Sequence, residues 1–361
     1  MDIYVLVEKE YLSSSWCQSI IRGLNSEKKR KKAKLQFIDS LDEIAEPSSE
    51  FTSVILVGTK NNWLEQKFYD IKKLKLNPII INTTQFESPY TSCNVVSSDI
   101  LGAVTEAFLL CKQASKSQIA LYGVNPESVT DIVRKNAFLK VGGIKNDIYY
   151  NNGLLKGCFY SFLPNLEKYS SIICVNDFAA ISLLNRLKKE GISTENISII
   201  SLSNSILGAN FSPKITSFTI NHEKFGVAAI MIHEALAKNN FVSSLNALIN
   251  YDLIEGETIN ISSVDKIVYL KPSIEQKSNV NIYSDVEFSE MMAIENFLKN
   301  ADDSDWKILK LTKENQKREF ISDVTFLSSS AIKYRVKSYC KNFKVDNIDE
   351  VVEILEKYSI L

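Results

Sequence analysis

The first candidates for functional side chains lie near the C-terminus, where hydroxyl, aromatic and basic residues alternate. They are Ser329, Ser330, Lys333, Tyr334 and Lys337. Hydroxyl and ammonium groups of this kind bind phosphates and the edges of bases. No acidic residue lies between Ser328 and Val345. The stretch therefore indicates that one helix face meets a polyanion, although a basic face is also typical of a solvated surface helix.

A short turn followed by a helix must position these side chains. Ser328 can cap the helix, and the tight turn before it contains Phe326 and Leu327. Apolar residues then recur at helical spacing, at Ile332, Val336, Tyr339, Cys340 and Phe343. A second helix after a short turn is the arrangement that enters the major groove of DNA. We predict that Ser329 to Lys344 form the DNA-reading helix. Its apolar side should pack on Phe320, Ile321, Val324 and Ile354.

Residues 331–345 carry a resemblance to a known family. They read Ala-Ile-Lys-Tyr-Arg-Val-Lys-Ser-Tyr-Cys-Lys-Asn-Phe-Lys-Val. This run resembles the C-terminal helix-turn-helix of LuxR/NarL-type regulators, with Lys344 standing where that family has glycine. Residues 346–355 are similar to the family's fourth helix, and the resemblance covers about 304–361. It implies a small all-α DNA-binding domain.

The whole chain limits the functions to be considered. Its 361 residues predict two or three domains, and its net charge of −1 means that any contact with nucleic acid must be local. There is no apolar stretch of membrane-spanning length and no signal-peptide pattern at the N-terminus. Six scattered cysteines without a C-x-x-C suit reduced thiols. We therefore expect a cytoplasmic protein with no membrane partner.

Catalytic and metal-binding patterns are missing from the sequence. Only two histidines occur, so a histidine-based metal site or catalytic triad is not expected. The nucleophile and nucleotide-binding motifs G-x-S-x-G, G-x-x-x-x-G-K and G-x-G-x-x-G are absent as well. We expect no enzymatic activity, no cofactor and no metal.

Most of the chain before residue 278 alternates between strand and helix patterns. Two successive series of this kind predict two doubly wound lobes with parallel sheets. We expect a bilobed domain over 1–278, with lobe 1 at about 1–113 plus 221–240 and lobe 2 at about 117–219 plus 241–270. A linker over 279–288 and a helix-turn-helix domain over 289–361 should follow. Ligands of such open sheets bind at the carboxyl ends of the strands.

A second resemblance concerns this α/β part. Asn176-Asp-Phe-Ala-Ala180 resembles the Asn-Asp-x-x-Ala strand end of LacI/GalR-type regulators, and 212–218 resembles their Pro-x-Leu-Thr-Thr crossover. Phe225-Gly226 is similar to their Leu-Gly, and the match covers most of 1–278. The resemblance implies a periplasmic-binding-protein-like sensor domain that is usually dimeric and usually binds a sugar or a related effector, including sugar phosphates. Because the first strand pattern starts at Asp2 or Ile3, we expect the C-terminal helices to take the place of the family's N-terminal helix-turn-helix.

The resemblance also implies a set of effector-binding residues. They are Trp16, Asp99, Arg134, Asn176 and Ser203. Trp16 could stack on a ligand or pack in the core, Asp99 could bind the ligand or cap a helix, and Arg134 could bind the ligand or form a surface ion pair. Ser203 stands where the family often has an aspartate.

The combined expectation is a homodimeric transcriptional regulator that binds a small polar effector and double-stranded DNA. The alternative is a solute-binding receptor or sensor whose C-terminal helices bind protein.

Overall fold

The structure, a computed structural model, describes residues 2–31, 34–44, 51–84, 93–114, 118–239, 241–259 and 285–361. The strands, numbered in chain order, are β1 Asp2–Val7, β2 Lys34–Ile38, β3 Thr52–Val57, β4 Asn77–Ile81, β5 Asn94–Ser98, β6 Gln118–Val124, β7 Ile148–Tyr150, β8 Tyr169–Cys174, β9 Ser198–Ser201, β10 Thr216–Thr219, β11 Asn246–Ile249 and β12 Asp252–Ile254. The helices are α1 Ser15–Lys31, α2 Asn61–Lys73, α3 Ile100–Ala114, α4 Val129–Lys140, α5 Leu155–Phe162, α6 Asp177–Lys189, α7 Ile206–Asn210, α8 Glu223–Lys238, α9 Val286–Asn300, α10 Asp303–Lys313, α11 Arg318–Thr325, α12 Ser329–Phe343 and α13 Ile348–Lys357.

These elements belong to two compact units. The first unit comprises Met1–Ala103 and Ile220–Asp252, and the second comprises Val104–Thr219 and Leu253–Leu361. Each contains one six-stranded sheet. The predicted α/β class with two sheets of mostly parallel strands is therefore confirmed.

The sheet of the first unit has the strand order β11-β5-β4-β3-β1-β2, and its pairs are parallel. All six residues of β3 are buried, because helices cover both faces of the sheet. Alternate side chains serve the two faces. Val5 packs in the cluster that contains residues of α1 and α8, and Leu6 packs in the cluster that contains residues of α2.

Two glycines allow α1 and α8 to approach closely. A Cβ on Gly23 would lie 2.1 Å from the carbonyl oxygen of Glu223. A Cβ on Gly226 would lie 2.5 Å from the carbonyl oxygen of Ile20. Packing therefore explains both residues of the Phe225-Gly226 pair. Phe225 is fully buried, and the close backbone contact at Gly226 leaves no room for a side chain.

Residues 241–249 differ from the prediction that they belong to the second lobe. β11 pairs in parallel with β5, at the edge of the first sheet. Two amide side chains fix this edge, because Asn94 Oδ1 accepts from Leu245 N at 2.9 Å and Asn246 Oδ1 accepts from Val95 N at 3.1 Å. The chain joins the second sheet only at β12. Residues 260–278 of the predicted bilobed domain and most of the predicted linker lie outside the described residues.

The sheet of the second unit has the strand order β12-β10-β9-β8-β6-β7. The pairs formed by β6, β7, β8, β9 and β10 are parallel, so the carboxyl ends of β6, β8 and β9 lie along one edge. Helices α4, α5, α6 and α7 follow these strands in the chain. We call this edge, with the residues directly after Val124, Cys174 and Ser201, the polar edge.

The last five helices, α9 to α13, are also part of the second unit. Helix α9 joins them to the α/β part through buried contacts. Phe288 meets Phe178 of α6 edge-on with ring centroids 5.4 Å apart, and Glu287 pairs with Arg186 of the same helix. In the part of the chain that the structure describes, no helix is long and apolar enough to cross a membrane.

Candidate functional site

Asn176 is the first polar residue after β8 and begins α6. Its side-chain oxygen accepts a hydrogen bond from Ala179 N at 2.9 Å, so it is the N-cap of the helix. An N-cap fixes the side chain by satisfying one of the orphan N–H groups of the first turn. The side chain is half-buried at the polar edge. Its Oδ1 is therefore engaged by the helix, while the amide group is held in a defined place.

Asp177 organises the neighbouring turn. Its carboxylate accepts from Ser203 Oγ at 2.7 Å, from Ser205 N at 2.7 Å and from Ser205 Oγ. Ser203 also accepts from Asp177 N at 3.2 Å. A Cβ on Gly208 would lie 2.3 Å from this carboxylate, which shows how tightly α7 packs here. Ser203 thus lies at the polar edge, where its hydroxyl is already hydrogen-bonded to Asp177, and effector binding by Ser203 stays a prediction.

Arg134 reaches the polar edge from α4. Its guanidinium donates to Asp131 at 3.1 Å and to the carbonyl oxygen of Leu202 at 3.1 Å. Arg134 is only 9% exposed. Its ion pair with Asp131 is therefore buried, whereas the alternative interpretation expected an ion pair on the surface. Burial raises the pKa of the Asp131 carboxyl, and the adjacent guanidinium opposes that rise. Within the second unit, Arg134, Asn176 and Ser203 are therefore brought to one edge.

Sequence reasoning missed two buried asparagines at this edge. Asn125 follows β6 directly and is 7% exposed, and Asn151 follows β7 directly and is 2% exposed. Asn151 donates to the carbonyl oxygen of Gly123 at 3.1 Å, and Asn125 Oδ1 accepts from Glu127 N at 3.0 Å. Their position immediately after an apolar strand was the available signal. Both stabilise loops at the polar edge.

The other two predicted effector residues belong to the first unit. Asp99 accepts from Gly102 N at 2.9 Å and thus makes the capping contact foreseen for it. Trp16 is half-buried, packs against the core cluster of the first unit, and lies 5.6 Å from the ring of Tyr11. Both have structural roles, and effector binding by either stays a prediction.

The C-terminal stretch forms a helix, a turn and a second helix. Helix α11 ends at Thr325, Phe326 adopts a left-handed conformation, and α12 begins at Ser329. Ser328 is the N-cap of α12, since its hydroxyl accepts from Ala331 N at 3.2 Å. The predicted helix is confirmed, and it ends one residue earlier than expected, at Phe343.

The five residues predicted to read DNA share one property. Ser329, Ser330, Lys333, Tyr334 and Lys337 are all exposed. At about 100° per residue they fall within one side of α12. Whether this side binds DNA stays a prediction.

Arg335 of α12 is engaged by acidic side chains of the C-terminal helical region. It pairs with Asp302 at 2.9 Å and with Asp305, which also accepts from Tyr339 Oη. The Arg335 guanidinium lowers the pKa of Asp302. Two of the acidic side chains near α12 are thus engaged by an arginine from α12 itself.

The apolar side of α12 packs only partly as predicted. Ile332 and Phe343 are buried. Phe297 of α9, which the prediction did not include, lies 5.6 Å from the ring of Tyr339 and 6.1 Å from that of Phe343. Phe320, in contrast, is 47% exposed, because α11 turns Ile321 inward instead. The role given to Phe320 was therefore wrong.

Lys344 occupies a position that favours glycine. Its φ of 57° and ψ of 43° are left-handed, and it ends α12. The next N–H, of Val345, returns to the carbonyl oxygen of Cys340 at 3.0 Å, which closes the helix. Glycine would adopt this conformation at lower cost than lysine does.

Across the described ranges, no group of three or more His, Cys, Asp or Glu side chains is placed to hold a metal ion.

Comparisons with known proteins identify the fold. The sequence profile of the periplasmic binding protein-like domain matches residues 116–259. No curated protein shows significant sequence similarity to the chain. The chain thus contains a periplasmic-binding-protein-like domain, as the resemblance predicted.

Several solved structures share the fold. A transcription regulator from Lactobacillus plantarum matches with a TM-score of 0.54 at 16% identity, over 72% of this chain and 100% of that chain. A LacI family regulator from Weissella paramesenteroides with bound sucrose matches with a TM-score of 0.53 at 15% identity, over 72% of this chain and 98% of that chain. A transcriptional regulator in complex with cellobiose matches with a TM-score of 0.53 at 14% identity, over 72% of this chain and 84% of that chain. At these identities the likeness establishes the fold.

Proposed function

We propose that the protein is a transcriptional regulator, without catalytic activity, that acts in the cytoplasm. Its periplasmic-binding-protein-like part would bind a small polar effector, a sugar or a related metabolite. Its C-terminal helices would bind double-stranded DNA through the exposed side of α12. The observation that carries the proposal is that a short turn joins α11 to α12 and that five exposed hydroxyl, aromatic and basic side chains lie on one side of α12.

The charge on α12 supports DNA as the partner. The helix contains no acidic residue and presents Lys333, Lys337 and Lys341 to solvent. The nearby carboxylates of Asp302 and Asp305 are paired with Arg335, which reduces the repulsion that they would otherwise exert on a phosphate backbone.

The polar edge of the second unit supports an effector. Asn176, Arg134 and Ser203 lie where open parallel sheets bind their ligands, at the carboxyl ends of the strands. Two of the regulators that share the fold contain sucrose and cellobiose. These sugars, glucose, and sugar phosphates are therefore the first compounds to test.

The DNA-binding proposal is tested by titrating the full-length protein against a duplex from its own promoter region at several salt concentrations. We expect binding to weaken with salt. Lys333→Ala or Lys337→Ala should lower the slope of log affinity against log salt by roughly 0.9 for each lost phosphate contact. The matched control is Lys310→Ala, which removes the same charge from an exposed position on α10 and should leave the slope unchanged.

The alternative function, a receptor or sensor whose C-terminal helices bind protein, predicts a different result. If the full-length protein shows no salt-dependent DNA binding, with or without the test compounds, the C-terminal helices bind protein and the regulator proposal fails. Melting curves and circular dichroism of each variant establish that the loss of binding does not reflect unfolding. As a reference for unfolding we would use Ile332→Asp, which places a charge at a position that is 2% exposed.

A further inference from the structure

Phe326, in the turn between α11 and α12, is the most exposed large apolar side chain in the described residues. It is 94% exposed. The turn around it is fixed, because Ser322 Oγ donates to the carbonyl oxygen of Leu327 at 2.5 Å and Ser328 caps α12. A fully exposed phenyl ring therefore occupies a defined position two residues before the N-cap of the proposed reading helix.

The backbone at Phe326 gives no reason for an aromatic residue. Its φ of 56° and ψ of 25° are left-handed, a conformation that glycine and asparagine adopt readily and bulky residues seldom do. The ring buries nothing in the core, and the turn would be less strained without it. Strained residues that serve neither packing nor the turn are expected at sites that contact a partner.

The surroundings of Phe326 indicate which partner. The exposed side chains that follow it on α12 begin with Ser329, Ser330 and Lys333, and the amino terminus of a helix itself favours negative charge. The partner should therefore be anionic and should offer an apolar group beside its charges. The major groove of DNA has both, because phosphates flank the 5-methyl group of thymine.

Resting on the proposed function, we infer that Phe326 is a specificity-determining residue that contacts a thymine methyl group in the major groove. The lysines of α12 would supply affinity that does not depend on sequence, and the Phe326 ring would supply a preference for thymine at one position of each half-site. A ring at the turn would reach bases beyond those read by α12 itself. It would extend the recognised DNA sequence through an apolar contact and not through an ionic one.

The test uses two duplexes of the same promoter sequence, one containing thymine and one with uracil, which lacks the methyl group. The full-length protein should bind the thymine duplex more tightly, by about fourfold for each contacted methyl. Phe326→Asn should bind both duplexes with equal affinity, close to that of the wild type for the uracil duplex. Phe326→Tyr keeps the ring and should keep the discrimination.

A stability measurement separates binding from folding. Asparagine tolerates the left-handed conformation, so Phe326→Asn should leave the melting temperature unchanged or raise it. Ser359→Asn is the matched control, because Ser359 has a φ of 57°, is exposed and follows α13 at the end of the chain. It should behave similarly in melting and leave discrimination between the two duplexes unchanged.

Each contrary result has a distinct meaning. If the wild type binds DNA but does not distinguish thymine from uracil, or if Phe326→Asn retains the discrimination, the inference is overturned and the proposed function stands. A lower melting temperature for Phe326→Asn would show a structural role and also overturn it. A changed sedimentation coefficient with unchanged DNA affinity would assign Phe326 to a protein contact. If the wild type binds neither duplex, the proposed function itself fails.

Discussion

Asn176 caps α6 and is also proposed to bind the effector, and a suitable substitution can separate these two roles. Its Oδ1 caps α6, so replacement by alanine would remove the cap as well as any contact with an effector. Serine caps about as well as asparagine but lacks the amide donor. Arg134 cannot be tested so cleanly, since removing it would leave Asp131 buried without its partner.

We therefore predict that Asn176→Ser leaves the melting temperature near that of the wild type but lowers affinity for the effector by about tenfold or more, as expected for one lost hydrogen bond of about 1.5 kcal/mol. Isothermal titration with sucrose, cellobiose, glucose and sugar phosphates measures it. Unchanged affinity for whichever compound binds the wild type would remove Asn176 from the effector site.

His233 is a buried titratable residue of the first unit. It lies on α8 and is 1% exposed, and its Nδ1 is 2.8 Å from Ser53 Oγ. Its Nε2 has no hydrogen-bond partner in the described part of the chain. Burial lowers the pKa of His233 to about 4 from the ordinary value of 6.5. Between those values the unfolded chain binds a proton that the folded chain rejects.

The stabilisation from keeping His233 neutral is thus complete above about pH 6.5 and is lost as the pH falls toward 4. The loss should amount to about 1.4 kcal/mol per pH unit, or roughly 3 kcal/mol in total. We predict that urea unfolding of His233→Gln is less dependent on pH over this range than that of the wild type. Burial also lowers the pKa of His222 to about 4, so His222 contributes in the same direction, and His233→Gln should keep the part of the pH dependence that belongs to His222. Parallel profiles for the wild type and His233→Gln would contradict the prediction.

At the scale of elements, α9 is a part of the α/β core as much as of the C-terminal helices. Asp285 caps α9 by accepting from Glu287 N at 3.0 Å and also accepts from Leu155 N, at the start of α5, at 2.7 Å. Glu295 accepts from Leu207 N at 2.7 Å and from Ile206 N at 3.2 Å, at the start of α7. The carboxylates of Asp285 and Glu295 therefore accept hydrogen bonds from N–H groups at the starts of α5 and α7, two helices that precede α9 in the chain.

On the other side, α9 contacts the proposed reading helix. Asn342 of α12 donates to the carbonyl oxygen of Ala293 at 2.7 Å, and Asn296 donates to Asn342 at 3.0 Å. Since Ser205 is the N-cap of α7 and also binds Asp177, a continuous set of hydrogen bonds and packed helices runs from the polar edge through α7 and α9 to α12.

We predict that Glu295→Ala destabilises the protein by about 1–3 kcal/mol, because it leaves two N–H groups at the start of α7 without acceptors. Glu295→Gln keeps an acceptor oxygen and should cost less. Met292→Ala changes an exposed position of the same helix and is the control. Equal melting temperatures for Glu295→Ala and the control would show that α9 does not stabilise α7. A fragment ending at residue 278 would lack both capping carboxylates, so solution measurements should use the full chain.

For the whole molecule, dimerisation is the property that the proposed function requires. One helix-turn-helix reads too little DNA for tight specific binding, and two-fold dimers that read paired half-sites are the usual solution. The first unit leaves Met231, Phe241 and Leu248 exposed by 57%, 83% and 60%, respectively, and these are candidates for burial in a dimer.

We predict that the full-length protein sediments as a dimer at tens of micromolar and binds duplexes with half-sites about 10 base pairs apart in a 2:1 ratio. Phe241→Asp should shift it toward monomer, whereas Leu74→Asp, at another exposed position of the first unit, should not. A wild-type protein that stays monomeric throughout would exclude this interface and the paired-site arrangement together.

Local signals allowed the sequence to determine much of the fold. Apolar runs such as β3 predicted buried parallel strands, and Ser328 with the spacing of Ile332 and Phe343 predicted α12, because caps and periodicity depend on residues within a few positions. The exposed side of α12 followed from the same pattern. The polar residues after β8 and β9, in contrast, were identified from a family resemblance and not from the local pattern.

The partners that these elements meet depend on packing between distant parts of the chain, which no local pattern reveals. Residues 241–249 joined the first sheet through Asn94, and Arg335 was paired by Asp305 instead of being left for a ligand. Likewise Arg134 is engaged by the backbone at Leu202, and α9 caps helices that precede it by many residues. Such pairings are decided by competition among groups far apart in the chain for the same hydrogen bonds and the same buried space. A sequence pattern shows which groups need partners, but packing determines which partners they obtain.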